Sequence, residues 1–195
     1  MRTFHRRNLP HLYYQEGQYF VTFRLANSIP QIALEELKKE FKTLGKMTAI
    51  QQKRLFVKYD SILDSNEIGI KYLALQPIVD ILKATLHYPD GKEYKLICYS
   101  IMPNHVHLVF ELLNENKGIS KIMQSIKRIS ARNANQELKR SGKFWQDESF
   151  DRLIRDDKEL FNTIKYVLLN PVSAGLVDDW GKWCHSYCHP SYLVL

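Results

Sequence analysis

Two histidines separated by one apolar residue are the side chains of this sequence best suited to bind a metal ion. They lie in the strand-like run PNHVHLVF at residues 103–110. In an extended chain alternate side chains share a face, so His105 and His107 point the same way. Imidazole nitrogen suits zinc, copper, iron or nickel and is acceptable to manganese, so the pair predicts a divalent cation without naming it. The alternative is a structural pair, because most buried polar groups are simply hydrogen-bonded.

A second candidate pair is the phenol of Tyr166 and the amide of Asn170, in the segment IKYVLLNP at residues 164–171. A spacing of four on a helix puts both side chains on one face, so they can approach the same ion or phosphate. Pro171 is expected to end this helix. A tyrosine is a poor nucleophile at its free pKa of about 10 and needs a metal or a general base. The histidines and the tyrosine therefore need each other.

The pattern of apolar residues predicts the elements that must hold these side chains. Strands are predicted at 18–25, 94–101, 104–112 and 149–154, and helices at 32–44, 46–64, 70–86, 118–140 and 158–169. The strands before and after residues 102–104 should pair as a hairpin. This order predicts an α+β fold: a ferredoxin-like antiparallel sheet with helices on one face, an extra C-terminal helix and a helical insertion at about 46–88, before the second strand.

Composition agrees with a globular protein that has an anionic partner. The 195 residues carry 28 Lys and Arg against 21 Asp and Glu, a formal net charge of +7. This balance favours nucleic acid but is also found in many proteins that bind none. No apolar run of about 18 residues and no signal-peptide pattern is evident, so we expect a cytoplasmic protein without a membrane partner.

The cysteines predict no disulfide framework, because three is an odd number. Cys98 falls in an apolar strand and is expected to be a buried, reduced thiol. The cluster Cys184, His185, Cys188 and His189 has a spacing that can chelate zinc. Structural zinc sites usually draw ligands from two separated pairs, and no second pair is evident.

Five motifs in order carry a family resemblance. They are YFVTFRL at 19–25, MPNHVHLV at 102–109, FWQ at 144–146, FDRLIRD at 150–156 and YVLLNPVSAGLV at 166–177. Together they resemble the REP-associated tyrosine transposases, which are single-tyrosine HUH transposases related to insertion-sequence transposases. The motif order matches from Arg6 to Val177, so we expect one HUH domain over 1–195, with a C-terminal tail at about 178–195.

The resemblance implies the roles of the candidate residues. It makes His105 and His107 metal ligands, Tyr166 the nucleophile, and Asn170 the polar side chain that completes the metal shell, where family members often have glutamine. Magnesium or manganese is the implied ion. The implied activity is a metal-dependent single-stranded DNA endonuclease and strand transferase that forms a 5′-phosphotyrosine and a free 3′-hydroxyl.

The resemblance also implies a partner, single-stranded or hairpin-flanked DNA, and leaves a homodimer possible, with the tyrosine serving its own chain or the partner. Two other functions stay open: a non-catalytic DNA-binding protein derived from a transposase, and a metal-binding hydrolase unrelated to DNA. Trp145 is predicted either to stack on unpaired bases or to pack in the core. The candidate DNA contacts are Arg6, Arg7, Lys127, Arg128, Arg132, Trp145, Arg152 and Arg155.

Overall fold

The structure, a computed structural model, describes residues 3–6, 10–13, 17–41, 49–65 and 70–193. Its strands are β1 (Thr3–Arg6), β2 (Pro10–Tyr13), β3 (Gly17–Arg24), β4 (Tyr94–Ile101), β5 (His105–Leu112), β6 (Phe150–Ile154) and β7 (Ser186–Cys188). Its helices are α1 (Gln31–Phe41), α2 (Ala49–Asp64), α3 (Gln76–His87), α4 (Ile119–Glu137) and α5 (Asp157–Ser173). Every predicted strand and helix is therefore present, and β1, β2 and β7 were not predicted.

Five strands form one antiparallel sheet in the order β6-β3-β5-β4-β7, and β1 and β2 pair separately. The predicted hairpin of β4 and β5 is confirmed, and its connection is closed by the Met102 N–H, which donates to the His105 carbonyl over 2.9 Å. β5 lies in the centre of the sheet with β3 and β4 on either side. The predicted α+β fold class is confirmed.

Helices cover both faces of this sheet. α3 and α4 pack on one face, over a core that includes Phe23, Val106, Leu108 and Phe110. The extra C-terminal helix α5 packs on the opposite face together with Phe56 of α2. Two helices thus share one face as predicted, and the extra helix is placed where it can approach the side of β5 that carries the histidines.

The predicted end of the last helix is wrong, because α5 continues through Pro171 to Ser173. Proline in the last turn removes only its own N–H, and the chain on either side keeps helical bonds: the Ala174 N–H donates to the Asn170 carbonyl over 2.9 Å. At the other end, Asp156 caps the helix by accepting from the Glu159 N–H over 2.8 Å. Asn170 therefore belongs to the same rigid helix as Tyr166.

Among the described residues, no helix combines the length and the apolar character needed to cross a membrane. The predicted end of the first helix, Gly45, lies outside the described residues.

Candidate metal centre and nucleophile

The histidines of β5 share one face of the strand, and both are fully buried. Their Nε2 atoms lie 3.0 Å apart, with the ring planes nearly perpendicular. Val106, which separates the two histidines, and Leu108, which follows them, pack in the core on the opposite face of the sheet. The strand periodicity therefore brings two imidazole nitrogens to one point.

Hydrogen bonds at the far ring nitrogens orient the two imidazoles. His105 Nδ1 lies 2.6 Å from the Asn104 side-chain oxygen, and the Asn104 amide is fixed in turn because its Nδ2 donates to the Leu63 carbonyl over 2.8 Å. That oxygen can only accept, so His105 carries its proton on Nδ1 and presents a lone pair at Nε2. His107 Nδ1 lies 2.8 Å from the hydroxyl of Thr22 on β3, which can accept in the same way. Such outer partners orient imidazole ligands in metal sites.

Two carboxylates reach the histidines from α2, and the sequence analysis did not identify them. Asp60 Oδ1 lies 3.4 Å from His107 Nε2 and 3.9 Å from His105 Nε2. Asp64 Oδ1 lies 3.9 Å from His105 Nε2. The available signal was the i, i+4 spacing, which places both carboxylates on one face of the predicted helix 46–64. That spacing is also common on solvated helices, so only the packing of α2 reveals its use.

Three buried oxygens of this cluster have no hydrogen-bond partner among the described residues: Asp60 Oδ1, Asp64 Oδ1 and Asn170 Oδ1. Unsatisfied buried acceptors cost folding free energy, so several around one point call for a donor or a cation. Donors about 2.1 Å from one ion lie about 3.0 Å apart when adjacent and about 4.2 Å apart when opposite in an octahedral shell. The two imidazole nitrogens lie 3.0 Å apart, and their distances to the carboxylate oxygens are 3.4 to 3.9 Å, all within this range. The residues present therefore fit a divalent metal ion.

Burial controls the protonation of the cluster. Burial, and to a lesser extent the neighbouring Asp64 carboxylate, raise the pKa of Asp60 to about 8, although the hydrogen bond from Asn170 opposes this shift. Burial also raises the pKa of Asp64 to about 6 and lowers that of His105 to about 3. The pKa of His107 lies well below its usual value because of burial and of the adjacent His105. Each shift favours the neutral form of the group.

Tyr166 of α5 lies against this cluster in the same chain. Its hydroxyl donates to Asp60 Oδ2, and its ring centroid lies 5.6 Å from that of His107. Phe20 and Phe56 make edge contacts with the same ring. The phenol is half-buried, so it is held by its neighbours and still reaches the surface.

Asn170 lies one turn after Tyr166 and is 2% exposed. Its Nδ2 donates to Asp60 Oδ2 over 3.1 Å, which leaves its unpartnered oxygen for another group. The structure therefore brings together all four residues that the sequence analysis placed in the metal and nucleophile site.

The residues predicted to contact DNA fall into different environments. Arg128, Arg132 and Arg155 are exposed. Arg152 is half-buried and paired with Glu159. The side chain of Arg6 and the whole of Arg7 lie outside the described residues.

Two of the predicted DNA contacts lie in or beside the core. Trp145 is 4% exposed and donates through Nε1 to Ser130 Oγ over 2.9 Å, which favours the core-packing alternative. The Lys127 ammonium donates to the carbonyls of Gln146 and Asp147 over 3.0 and 3.1 Å, and burial lowers its pKa to about 8. Neither side chain is presented to solvent as a free contact for DNA.

The C-terminal cysteines and histidines do not assemble a comparable group. Cys184 Sγ lies 3.4 Å from His185 Nδ1, whereas Cys188 Sγ lies near the carbonyl of His189. Within the described part of the chain, the cluster that could hold a metal ion consists of Asp60, His105 and His107. One potential ligand atom from each of these side chains lies within 4.8 Å of the other two. The possible metal centre is therefore on β5 and α2, and the zinc alternative at residues 184–189 gains no support.

Known proteins resemble this chain in sequence and in fold. Residues 76–168 match the family described as IS200-like transposases. A Haemophilus influenzae protein, named as a candidate REP-associated tyrosine transposase, is 30% identical over 112 residues. The chain is therefore similar in sequence to IS200-like transposases and to a protein named as a REP-associated tyrosine transposase. This confirms the resemblance found in the sequence motifs.

The matches differ in how much of each protein they cover and in how similar the sequences are. The Haemophilus influenzae alignment covers 53% of this chain and 61% of the relative's length, less than two thirds of that protein. A solved structure of a REP-associated tyrosine transposase bound to a REP hairpin covers 93% of this chain and 80% of its own, with a TM-score of 0.54 and 18% identity. At that identity the likeness shows the fold alone. The segment 76–168 contains His105, His107 and Tyr166, whereas Asp60, Asp64 and Asn170 lie outside it.

Proposed function

We propose that this chain is a metal-dependent endonuclease and strand transferase of single-stranded DNA, with Tyr166 as its nucleophile. The observation that supports this proposal is the meeting of the Tyr166 hydroxyl with the paired imidazoles and with unpartnered oxygens at one buried point. The motifs that relate the chain to tyrosine transposases carry the histidines and the tyrosine. A DNA-binding protein that had lost catalysis has no need of this arrangement.

The proposed reaction is a transesterification. The Tyr166 phenol loses its proton as its oxygen attacks phosphorus, and the new bond joins the phenol oxygen to the 5′-phosphate. The bond between phosphorus and the 3′-oxygen breaks, and the leaving 3′-oxygen takes up one proton to become a free 3′-hydroxyl. His105, His107 and Asn170 would hold a magnesium or manganese ion, which would supply charge stabilisation to the phosphate oxygens. Because the phosphodiester is exchanged and not hydrolysed, the adduct retains the ability to rejoin strands.

The chain's own residues prepare the nucleophile. Asp60 Oδ2 accepts from the Tyr166 hydroxyl and from Asn170, so it fixes the position of the phenol relative to α2. The edge contacts of Phe20 and Phe56 hold the ring plane. Tyr166 lies at the histidines of its own chain, so the proposed reaction needs no second copy.

The proposed substrate is single-stranded DNA beside a hairpin. The basis is the solved structure of similar fold, a REP-associated tyrosine transposase bound to a REP hairpin. The exposed Arg128, Arg132 and Arg155 are the proposed phosphate contacts. Such contacts set affinity and salt dependence and do not choose the sequence.

A labelled-strand assay tests the proposal. The full chain is incubated with single-stranded hairpin oligonucleotides and Mn²⁺, and the products are separated by denaturing electrophoresis. A 5′-phosphotyrosine predicts that a label at the 3′ end stays on the protein while a label at the 5′ end leaves with the released fragment. Tyr166→Phe and His105→Ala should remove the covalent band, and Tyr187→Phe, which changes a half-buried tyrosine on β7, should retain it. Cleavage that persists in Tyr166→Phe would make water the nucleophile and overturn the proposal.

A further inference from the structure

Helix α2 lies against the imidazole pair although it lies outside the segment that matches the transposase family. We infer that α2 supplies a carboxylate arm to the metal centre, with Asp60 as a direct ligand and Asp64 as an outer carboxylate at the entrance of the site. This inference deepens the proposed function and rests on it for the role of the ion. It adds two acidic residues to the donors implied by the family resemblance.

Packing on both sides of Asp60 fixes where its carboxylate points. One turn earlier, Phe56 packs between Phe20 and Phe150, with ring centroids 5.2 and 4.6 Å away. Nearly one turn later, the Leu63 carbonyl accepts from Asn104 Nδ2, and Leu63 is 1% exposed. Because α2 is held at both points, the helix cannot rotate freely about its axis. Its packing therefore keeps the Asp60 carboxylate pointed at the histidines.

Among the residues that the structure describes, no Lys or Arg forms an ion pair with Asp60. Its side chain is 4% exposed, the His107 and His105 Nε2 atoms lie 3.4 and 3.9 Å from Oδ1, and Asp64 lies one turn away with a further acidic oxygen. Tyr166 and Asn170 satisfy Oδ2, but Oδ1 has no partner among the described residues. Burying acidic oxygens without a partner costs stability, and a divalent ion between Oδ1 and the imidazoles would offset that cost.

Asp64 connects this buried point to the surface. Its side chain is 19% exposed, and it lines a cavity together with Asn104, Met102 and Lys71. A metal site needs a path by which the ion enters. The position of Asp64 between the cavity and His105 suits a carboxylate that receives the ion or holds one of its waters.

The donor set also predicts which divalent metal ion the site binds more tightly. Two imidazoles with carboxylate and amide oxygens form a mixed set, and nitrogen ligands raise affinity for Mn²⁺ above that for Mg²⁺, which favours oxygen. We therefore expect tighter binding of Mn²⁺ than of Mg²⁺, both without DNA.

Calorimetric titration of the full chain with MnCl2, without DNA, tests the inference. Asp60→Asn should weaken Mn²⁺ binding by about tenfold or more, because it replaces a charged ligand but keeps an oxygen that can accept from Tyr166. Asp64→Asn should weaken binding less, and Glu137→Gln, an exposed acidic residue of α4, should leave it unchanged. Wild-type Mn²⁺ affinity in Asp60→Asn would overturn the inference.

A second measurement needs no variant and so does not depend on how a variant folds. Fe²⁺ with ascorbate and peroxide generates radicals at a bound ion, and mass spectrometry then locates the cleaved backbone of the wild-type chain. Cuts in α2 near Asp60 as well as near His105 are expected, and cuts confined to β5 and α5 would contradict the inference. Neither measurement uses DNA. Loss of Mn²⁺ affinity in Asp60→Asn alongside an absent covalent adduct in wild type would therefore reject the proposed function and keep the carboxylate arm.

Discussion

The two faces of strand β5 are equally buried but carry different chemistry. Leu108 enters a large apolar core with α3 and α4, and adjacent His107 points to the opposite face, where buried polar groups from four elements meet. Those polar groups are Thr22, Asp60, His105, His107 and Asn170. The first face gains stability from burial, whereas the second buries polar atoms, some without partners, and so gives up stability for a binding site.

This division teaches that stability and chemistry should respond to different substitutions, although the residues involved are neighbours in sequence. Changes on the apolar face should alter the free energy of unfolding and leave metal affinity intact. Changes on the polar face should weaken metal binding and alter the free energy of unfolding only slightly.

The largest expected effect comes from the apolar face. Leu108→Ala should lower the free energy of unfolding by about 2–5 kcal/mol, because it leaves a cavity in a fully buried core. Urea denaturation measures this loss, and Leu108→Ile, which conserves volume, should cost less than about 1.5 kcal/mol. A fall in Mn²⁺ affinity of the folded Leu108→Ala protein would break the separation of the two faces.

Beside the polar face, Asn104→Ala should weaken Mn²⁺ binding by about 10–100-fold. The change removes the acceptor that fixes the His105 proton on Nδ1 and the bond that holds α2 at Leu63. Calorimetry measures the affinity, and Asn133→Ala, an exposed residue of α4, serves as the control. Equal affinities in the two variants would mean that the orientation of His105 does not depend on Asn104.

Thr22→Val sharpens the comparison because it changes little volume. Loss of the hydroxyl beside His107 Nδ1 should weaken Mn²⁺ binding by about tenfold. It should lower the free energy of unfolding by only about 1 kcal/mol, because one buried hydrogen bond is lost. The matched control is Thr85→Val on α3, whose hydroxyl donates to the Ile81 carbonyl over 2.7 Å. If both variants bind Mn²⁺ alike, the Thr22 hydroxyl has no part in orienting the ligand.

The smallest expected effect concerns the exposed surface. Arg132→Gln should weaken single-stranded DNA binding a few-fold and reduce the salt slope of binding by about one, because one phosphate contact is lost. Fluorescence anisotropy at several salt concentrations measures the slope. The control is Lys92→Gln, which removes an exposed positive charge outside the predicted interface. An identical slope in the two variants would exclude Arg132 from the DNA interface.

Much of the fold was predictable because its elements have strong local patterns. β3, β4 and β5 are alternating or apolar runs. The tight connection before His105 predicted the hairpin of β4 and β5. β7 was missed because three residues are too short to show a period. The end of α5 was misplaced because a helical proline near a C-terminus costs less than one in the interior.

The candidate site was predictable only in part. His105 and His107 were found because a strand alternates, and Asn170 was found because it follows Tyr166 by one turn. The core position of Trp145 was left open, since an aromatic residue can stack on a base or in a core, and the structure shows a hydrogen bond to Ser130. Lys127 looked like its helical neighbour Arg128, but its position beside the 146–147 carbonyls removes it from the solvated surface.

The sequence by itself determined which side chains share a face on β5 and on α5, because those relations follow from the strand and helix repeats. Only the tertiary structure decided that the two faces meet, that Tyr166 reaches the histidines of its own chain, and that Asp60 and Asp64 join them. Contacts between residues about 40 to 110 positions apart depend on how helices pack across the sheet, and that packing has no local signature in the chain.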